Sequence, residues 1–188
     1  MFRSVITAAG FGRRLGQDKA LVALGATTAV ERVCATHRDA GVEAVTVVRR
    51  VGSAALPPLD ARVVETEPPE MIDSLRAGLD TVADDDWVMF HPVDYPLVGV
   101  PVVTALREAC ATTRASIVLP LHDERPGHPI AFAARCVDEI LDPATVSLRD
   151  VIRRDASRVD VVRVDDPWIH RDLDTPEDLA AALEYLRR

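Results

Sequence analysis

A three-layer α/β domain with a largely parallel, twisted sheet is predicted by three observations. Short β-branched runs alternate with amphipathic helical stretches along the whole chain. The strand-like runs are continuously apolar rather than alternating, as suits strands covered on both faces. At 188 residues and 48% hydrophobic content, the chain reads as one domain, residues 1–188, with ample apolar material for a core.

Each element follows from its local pattern. Residues 5–9 read as a buried first strand and 45–48 as a second, with 62–65, 87–90, 116–119 and 159–164 supplying the rest. Thr28 caps a helix running to about residue 37, with Val30 and Val33 facing inward. Residues 74–82 and 102–111 read as two further helices, and Ser147 starts a short one through Arg153. The last helix, 176 to about 187, has the strongest start signal, with Thr175 as N-cap, Pro176 in the first turn and Asp178 three residues after the cap. Leu179, Leu183 and Leu186 line one of its faces. Pro57-Pro58 and Pro68-Pro69 punctuate loops.

Composition removes several function classes. Twenty-two basic against 30 acidic residues give a formal charge of −8, which argues against a duplex-binding surface and so against a nucleic-acid partner. Aromatic residues at 4% give no base-stacking platform for single strands. Cys34, Cys110 and Cys136 are far apart and odd in number, so neither a zinc ribbon nor a disulfide framework is indicated. His37, His91, His122 and His170 show no ligand spacing. The apolar run in residues 1–10 is too short for a secretory signal, and no stretch approaches a membrane span. A cytoplasmic domain with reduced thiols and no membrane partner is the expectation.

In such sheets ligands collect beyond the carboxyl ends of the strands, so the loops after the strands are where chemistry is sought. After the first strand comes Ala8-Ala9-Gly10-Phe11-Gly12-Arg13-Arg14-Leu15-Gly16-Gln17-Asp18-Lys19. Three glycines let the backbone bend and turn N–H groups toward a phosphate, and Arg14 and Lys19 add positive charge to an otherwise acidic chain. The spacing G-x-G-x-x-x-G is one residue off the dinucleotide fingerprint, and Gly16 is followed by Gln17 where a P-loop needs Lys. The alternative is a plain glycine turn with surface cations.

Two further stretches carry carboxylates. Residues 87–98 read as a buried strand running into Asp94, an acid bracketed by Pro92 and Pro96. Such an acid at a strand's carboxyl end suits Mg²⁺, which takes one or two protein carboxylates plus water and substrate phosphates; equally, it suits an Asp accepting loop N–H bonds. Near the other end, Asp172-Leu173-Asp174-Thr175-Pro176 precedes the last helix. Asp172 is the candidate second metal or water ligand, whereas Asp174 is expected to support the turn.

The first loop resembles the signature A-A/G-G-x-G-x-R-M/L-G-x-x-K of the nucleotidyltransferases related to molybdenum cofactor cytidylyltransferase and guanylyltransferase. The resemblance implies a GT-A-like fold and a loop, Ala8, Ala9, Gly10, Gly12, Arg14 and Lys19, wrapped around the triphosphate of an incoming NTP. Asp94 falls on the metal-binding Asp of the family's D-x-P-L/M element, and residues 172–179 resemble its D-I/L-D-T-P-E-D-L ending. Residues 70–79 resemble G-M-S-x-S-L-x-x-G-L, in which leading residues touch base and ribose; this implies nucleotide contacts at Met71 and Ser74, with Glu70 and Ile72 departing from the pattern. Residues 125–132 resemble R-x-G-H-P-V/I-x-F, which implies an acceptor contact at His128 and favours CTP over GTP. Without the resemblance, His128 is equally a loop histidine bonded to backbone.

The implied activity is transfer of NMP from an NTP to a small phosphorylated acceptor, with Mg²⁺ as cofactor, Arg14, Lys19 and Asp94 as catalytic groups and pyrophosphate as leaving group. A pterin phosphate of the molybdenum cofactor leads as acceptor, ahead of a sugar phosphate or phospho-alcohol. A weak homo-oligomer or a molybdoenzyme stays open as protein partner. A non-catalytic cofactor-binding accessory protein of the same fold is the reading from a different class.

Overall fold

The structure, a computed structural model, describes residues 1–10, 12–67, 70–84 and 86–187. Phe11 and the Pro68-Pro69 loop assignment lie outside the described residues. In chain order the elements are β1 (Phe2–Ala8), β2 (Ala23–Leu24), β3 (Thr27–Thr28), α1 (Ala29–Asp39), β4 (Ala44–Arg50), β5 (Arg62–Thr66), α2 (Met71–Ala77), β6 (Trp87–Pro92) and α3 (Val100–Thr112). There follow β7 (Ile117–His122), β8 (Arg125–Pro126), β9 (Ile130–Ala133), α4 (Val137–Leu141), α5 (Leu148–Arg154), β10 (Val159–Arg163) and α6 (Pro176–Tyr185).

The main sheet runs β10-β7-β9-β6-β1-β4-β5, with β8 paired to β7. β1 pairs in parallel with both β4 and β6, β4 with β5, and β10 with β7; β9 is antiparallel to both its neighbours. The expected largely parallel sheet is therefore present, with β9 and the two-residue β8 as its reversed members. The sequence pattern predicts no strand over residues 130–133. Four residues between Pro129 and the turn at Ala134 are too few to show a strand period.

Side chains alternate across the sheet as the pleat requires. Ile6, Val45, Val47, Met89 and Val118 join the core under α1, α3 and α6, including Val30, Val33, Leu106 and Ala182. Val5, Val48, Phe90, Ile117 and Leu119 join the opposite core with Leu75 of α2, Ile140 of α4 and Val151 of α5. Both faces are covered, which is why the strands read as unbroken apolar runs.

Helix starts follow the expected capping chemistry. Thr28 and Glu31 form a reciprocal capping box on α1, as do Thr175 and Asp178 on α6. The helix expected over 74–82 instead spans Met71–Ala77. It ends at Gly78, whose lack of a side chain lets the helix end lie against the sheet: a Cβ there would sit 2.4 Å from Val5 Cγ1. No described helix is long and apolar enough to cross a membrane.

Candidate active site

β1 lies between β4 and β6, so the chain winds outward on one side of β1 and then returns to the other. The loops after β1 and β6 consequently leave the sheet side by side, at the kind of crevice where open α/β sheets bind ligands. Thr7 pairs with Pro92, and Val93 N–H donates to the Thr7 carbonyl at 3.0 Å.

The glycine loop is shaped by its own backbone. Gly12 has φ +55°, and a Cβ on it would lie 1.8 Å from the Gln17 carbonyl oxygen, so only glycine permits this fold-back. Gly16 N–H donates to the Gly12 carbonyl at 2.8 Å. Asp18 then accepts from Ala20 N–H at 3.0 Å, capping a single 3₁₀ turn over Lys19–Leu21. That turn aims Lys19 across the crevice at the β6 loop.

Lys19 Nζ donates to Asp94 Oδ2 at 3.0 Å and also to Asp174 Oδ1. Arg14 Nη1 donates to Asp174 Oδ2 at 2.8 Å. Asp94, Asp172 and Asp174 each bring a carboxylate oxygen to within 4.8 Å of the others, and no other metal-capable group of this kind occurs among the described residues. Two backbone devices hold them together. Leu173 N–H, between Asp172 and Asp174, donates to the Asp94 carbonyl at 2.7 Å, and Asp178 of the α6 capping box accepts from Asp174 N–H at 3.1 Å. Asp174, expected only to support the turn, thus also pairs with Arg14 and Lys19. Its adjacency to Lys19 spans 155 residues of chain, which local pattern does not reveal.

Burial pushes the Asp94 carboxyl above its ordinary value; the Lys19 ammonium opposes this and Asp172 adds to it. Burial likewise works against the charge on Lys19, but Asp94 and Asp174 outweigh it and hold the ammonium above its ordinary value. Asp94 Oδ1 is buried with no hydrogen-bond partner. An acceptor-only oxygen left this way beside two further carboxylates fits a hard divalent cation.

A cavity of about 680 Å³ opens over this cluster. Ala8, Ala9, Gly10, Gly12, Arg14, Lys19, Met71, Ser74, Asp94 and Asp172 all line it, so the nominated nucleotide and metal residues converge on one space. Arg13, Arg50, Glu70 and Asp174 line it too, and sequence reasoning assigned them no role there. Arg50 ends β4 and donates to the Ala9 carbonyl at 2.9 Å, so it borders the glycine loop.

His128 is the exception. It does not line this cavity; its ring lies against Tyr95 at 4.6 Å and edge-on to Phe90 at 5.8 Å. Burial, with His91 and Arg149, drives its pKa down to about 3, so it is a neutral imidazole and offers no cation to a phosphate. The loop itself is braced by a second histidine: His91 Nε2–H donates to the Tyr95 carbonyl at 3.0 Å, and His91 Nδ1 accepts from His37 Nε2–H of α1 at 2.8 Å. The three cysteines are buried, and burial raises the Cys34 and Cys110 thiols to about 12, so none is a nucleophile.

Replacing Lys19 with methionine leaves Asp94 and Asp174 without their shared ammonium, beside the third carboxylate of Asp172. The variant is expected to lose about 2 kcal/mol of stability, to recover it when Mn²⁺ is added, and to bind NTP at least tenfold more weakly. Urea titrations with and without the cation, and calorimetry with NTP, check each part.

A parallel sheet with a phosphate-suited glycine loop, paired cations and clustered carboxylates at its switch point defines a nucleotide-handling α/β enzyme. The model of the MobA-like NTP transferase domain matches residues 4–169, and the chain belongs to this family of nucleotidyltransferases. A probable molybdenum cofactor guanylyltransferase of Opitutus terrae is 26% identical over 186 residues, covering 92% of this chain and 90% of the relative. A 2-C-methyl-D-erythritol 4-phosphate cytidylyltransferase of Klebsiella pneumoniae is 30% identical over 130 residues, covering 64% and 55%. The crystal structure of Rv0371c from Mycobacterium tuberculosis superposes with a TM-score of 0.86 at 23% identity, covering 97% of this chain and 98% of that one. A manganese complex of Rv0371c superposes at 0.79 and 21%, covering 97% and 98%. The GT-A-like nucleotidyltransferase fold expected from the first loop is the fold observed.

Proposed function

We propose that the protein transfers NMP from CTP to a small phosphorylated acceptor and releases pyrophosphate, using Mg²⁺ bound by Asp94 and Asp172. The observation that carries this reading is the buried, partnerless Asp94 Oδ1 in a cluster with Asp172 and Asp174, facing the glycine loop across one cavity. In the reaction an acceptor phosphate oxygen forms a bond to the α-phosphorus as the bond to the bridging oxygen of the β-phosphate breaks. The metal, when bound, neutralises charge on the phosphate oxygens as the leaving group departs. Glycine-loop N–H groups and the Arg14 guanidinium hold the triphosphate, and Lys19 carries a second fixed positive charge to it. Ser74 and Met71, at the start of α2, contact ribose and base.

A pterin phosphate is the leading acceptor, with a sugar phosphate or phospho-alcohol second. CTP is preferred on the Arg125–Phe132 element, whereas the near-full-length match to a probable guanylyltransferase favours GTP. A carrier without turnover has no use for Arg14, Lys19 and Asp94 in one cavity, so the accessory reading is set aside. The test is a pyrophosphate-release assay across the four NTPs, with Mg²⁺ or Mn²⁺ and a panel of phosphorylated acceptors. Release with CTP alone supports the reading in full; release with GTP alone corrects the base; no release with any pair sinks it.

A further inference from the structure

The Asp94 carboxylate has little hold on its own direction. Oδ2 accepts from Lys19 at 3.0 Å, and Oδ1 accepts from nothing. Its aim is therefore inherited from the backbone that carries it, the turn that closes the end of β6. Backbone bonds pin much of that turn. Val93 N–H donates to the Thr7 carbonyl at 3.0 Å, Tyr95 N–H to the Pro92 carbonyl at 3.1 Å, and Leu173 N–H to the Asp94 carbonyl at 2.7 Å. The Tyr95 carbonyl completes the set, accepting from His91 Nε2–H at 3.0 Å and, at a longer 3.5 Å, from Val98 N–H. Of these bonds to the turn's backbone, only that of His91 comes from a side chain.

Whether that bond exists depends on which nitrogen of His91 carries hydrogen. A carbonyl only accepts, so Nε2 must carry it, and in a neutral ring Nδ1 is then a bare lone pair. Nδ1 lies 2.8 Å from His37 Nε2 of α1, whose N–H supplies the donor it needs. His37 Nδ1 ends the chain; it is buried without a partner and, as a lone pair, strands no hydrogen. Reversing the chain would move the hydrogens to His91 Nδ1 and His37 Nδ1. The Tyr95 carbonyl would then lose its shorter bond, and a buried N–H would face no acceptor. The two rings thus have one satisfied arrangement, and it aims a donor at the turn. Both are 0% exposed and neither lines the cavity over the carboxylates, so neither is placed to touch a substrate.

We propose that His91 is a positioning residue, its donor fixed by His37, and that the pair holds the Asp94 turn so that Oδ1 is presented to a divalent cation. The helix that carries His37 also shares its core with Ala20 and Val22, next to Lys19. One helix therefore supports the glycine loop directly and the carboxylate turn through two rings. This inference rests on the nucleotidyl-transfer reading and adds to it two residues outside the cavity.

The test uses the full chain and two readouts: Mn²⁺ affinity without nucleotide, from the electron paramagnetic resonance signal of free Mn²⁺, and steady-state pyrophosphate release. His91→Phe keeps a ring in the site and removes both nitrogens. It is expected to weaken Mn²⁺ about tenfold and to lower kcat by a similar factor, with KM for the NTP within about twofold of the parent. His91→Gln, whose amide can donate to the Tyr95 carbonyl and accept from His37, is expected to stay within about threefold of the parent on both readouts. His37→Leu, remote from the cavity, is expected to weaken Mn²⁺ about threefold. Unchanged Mn²⁺ affinity and kcat in His91→Phe, equal losses in the Phe and Gln variants, or a raised KM alone overturns the inference and leaves nucleotidyl transfer standing. Unchanged Mn²⁺ affinity in His37→Leu overturns it too, and decides alone if His91→Phe does not fold. A parent protein that binds no Mn²⁺ and releases no pyrophosphate overturns both readings.

Discussion

Asp94→Asn is expected to lower metal-dependent pyrophosphate release by 100- to 1000-fold, roughly 3–4 kcal/mol of transition-state stabilisation, while the fold stays intact. The two effects separate because of where the carboxylate sits. Asp94 Oδ2 accepts from Lys19 at 3.0 Å, a bond that an amide oxygen also accepts, whereas Oδ1 has no partner inside the protein and is free to serve a cation. Burial already pushes this carboxyl above its ordinary value, with Asp172 contributing, so removing its charge relieves an unfavourable interaction. The metal-free variant is therefore expected to unfold at the same or a slightly higher temperature than the parent, the pattern of a site that trades stability for function. Differential scanning fluorimetry with and without Mn²⁺, beside the activity assay, reads both. Retained activity, or an undiminished Mn²⁺-induced shift, would remove Asp94 from the metal site.

Acidification from pH 7 to pH 5 is expected to destabilise the protein by up to about 4 kcal/mol through His37 and His91 alone, with His128, held by burial at about 3, adding to the loss, well before its ion-paired carboxylates protonate. His37 and His91 are 0% exposed and bonded ring to ring. Burial holds His91 down at about 4 and, with His91 beside it, His37 well below its ordinary value. In the unfolded chain both titrate near 6.5, so between that value and their folded pKa only the unfolded state takes up protons. A depressed folded pKa means that the stability is whole above about pH 6.5 and is lost as pH falls, at up to about 2 kcal/mol per ring by pH 5. Asp94, raised by burial, works in the opposite direction but is one group. Glu139, held low by Arg158 and Arg154 against the cost of burial, keeps its charge through this window. Urea midpoints at the two pH values measure the difference, and equal midpoints would contradict the neutral pairing of the two rings.

The pH response could not have been read from the sequence. His37 and His91 show no motif and are 54 positions apart; they meet only because α1 packs on the sheet face that carries β6. Much of the rest was legible. Strand runs, helix caps and the glycine loop are governed by contacts within a few residues, so the local pattern contains their cause. The capping box at Thr175 and Asp178 was read from four letters and is present as read. The antiparallel strand Ile130–Ala133 was not, because its pairing depends on two neighbours far along the chain rather than on its own four residues. The same limit applied to Asp174, whose local role in the helix start concealed its pairing with Arg14 and Lys19.

By itself the sequence determined the layered α/β class, the loops in which ligand chemistry lies and the residue types that chemistry needs, since these follow from periodicity, glycine and charge at short range. Only the tertiary structure decided which of those residues meet. Parallel pairing of β1 with β6 brings the Lys19 turn to Asp94, and the Leu173-to-Asp94 backbone bond draws Asp172 and Asp174 into the same cluster. His128 was directed instead toward Tyr95 and Phe90. The physical reason is that burial and electrostatic coupling arise between segments remote in the chain, and neither exists until the sheet has closed its register.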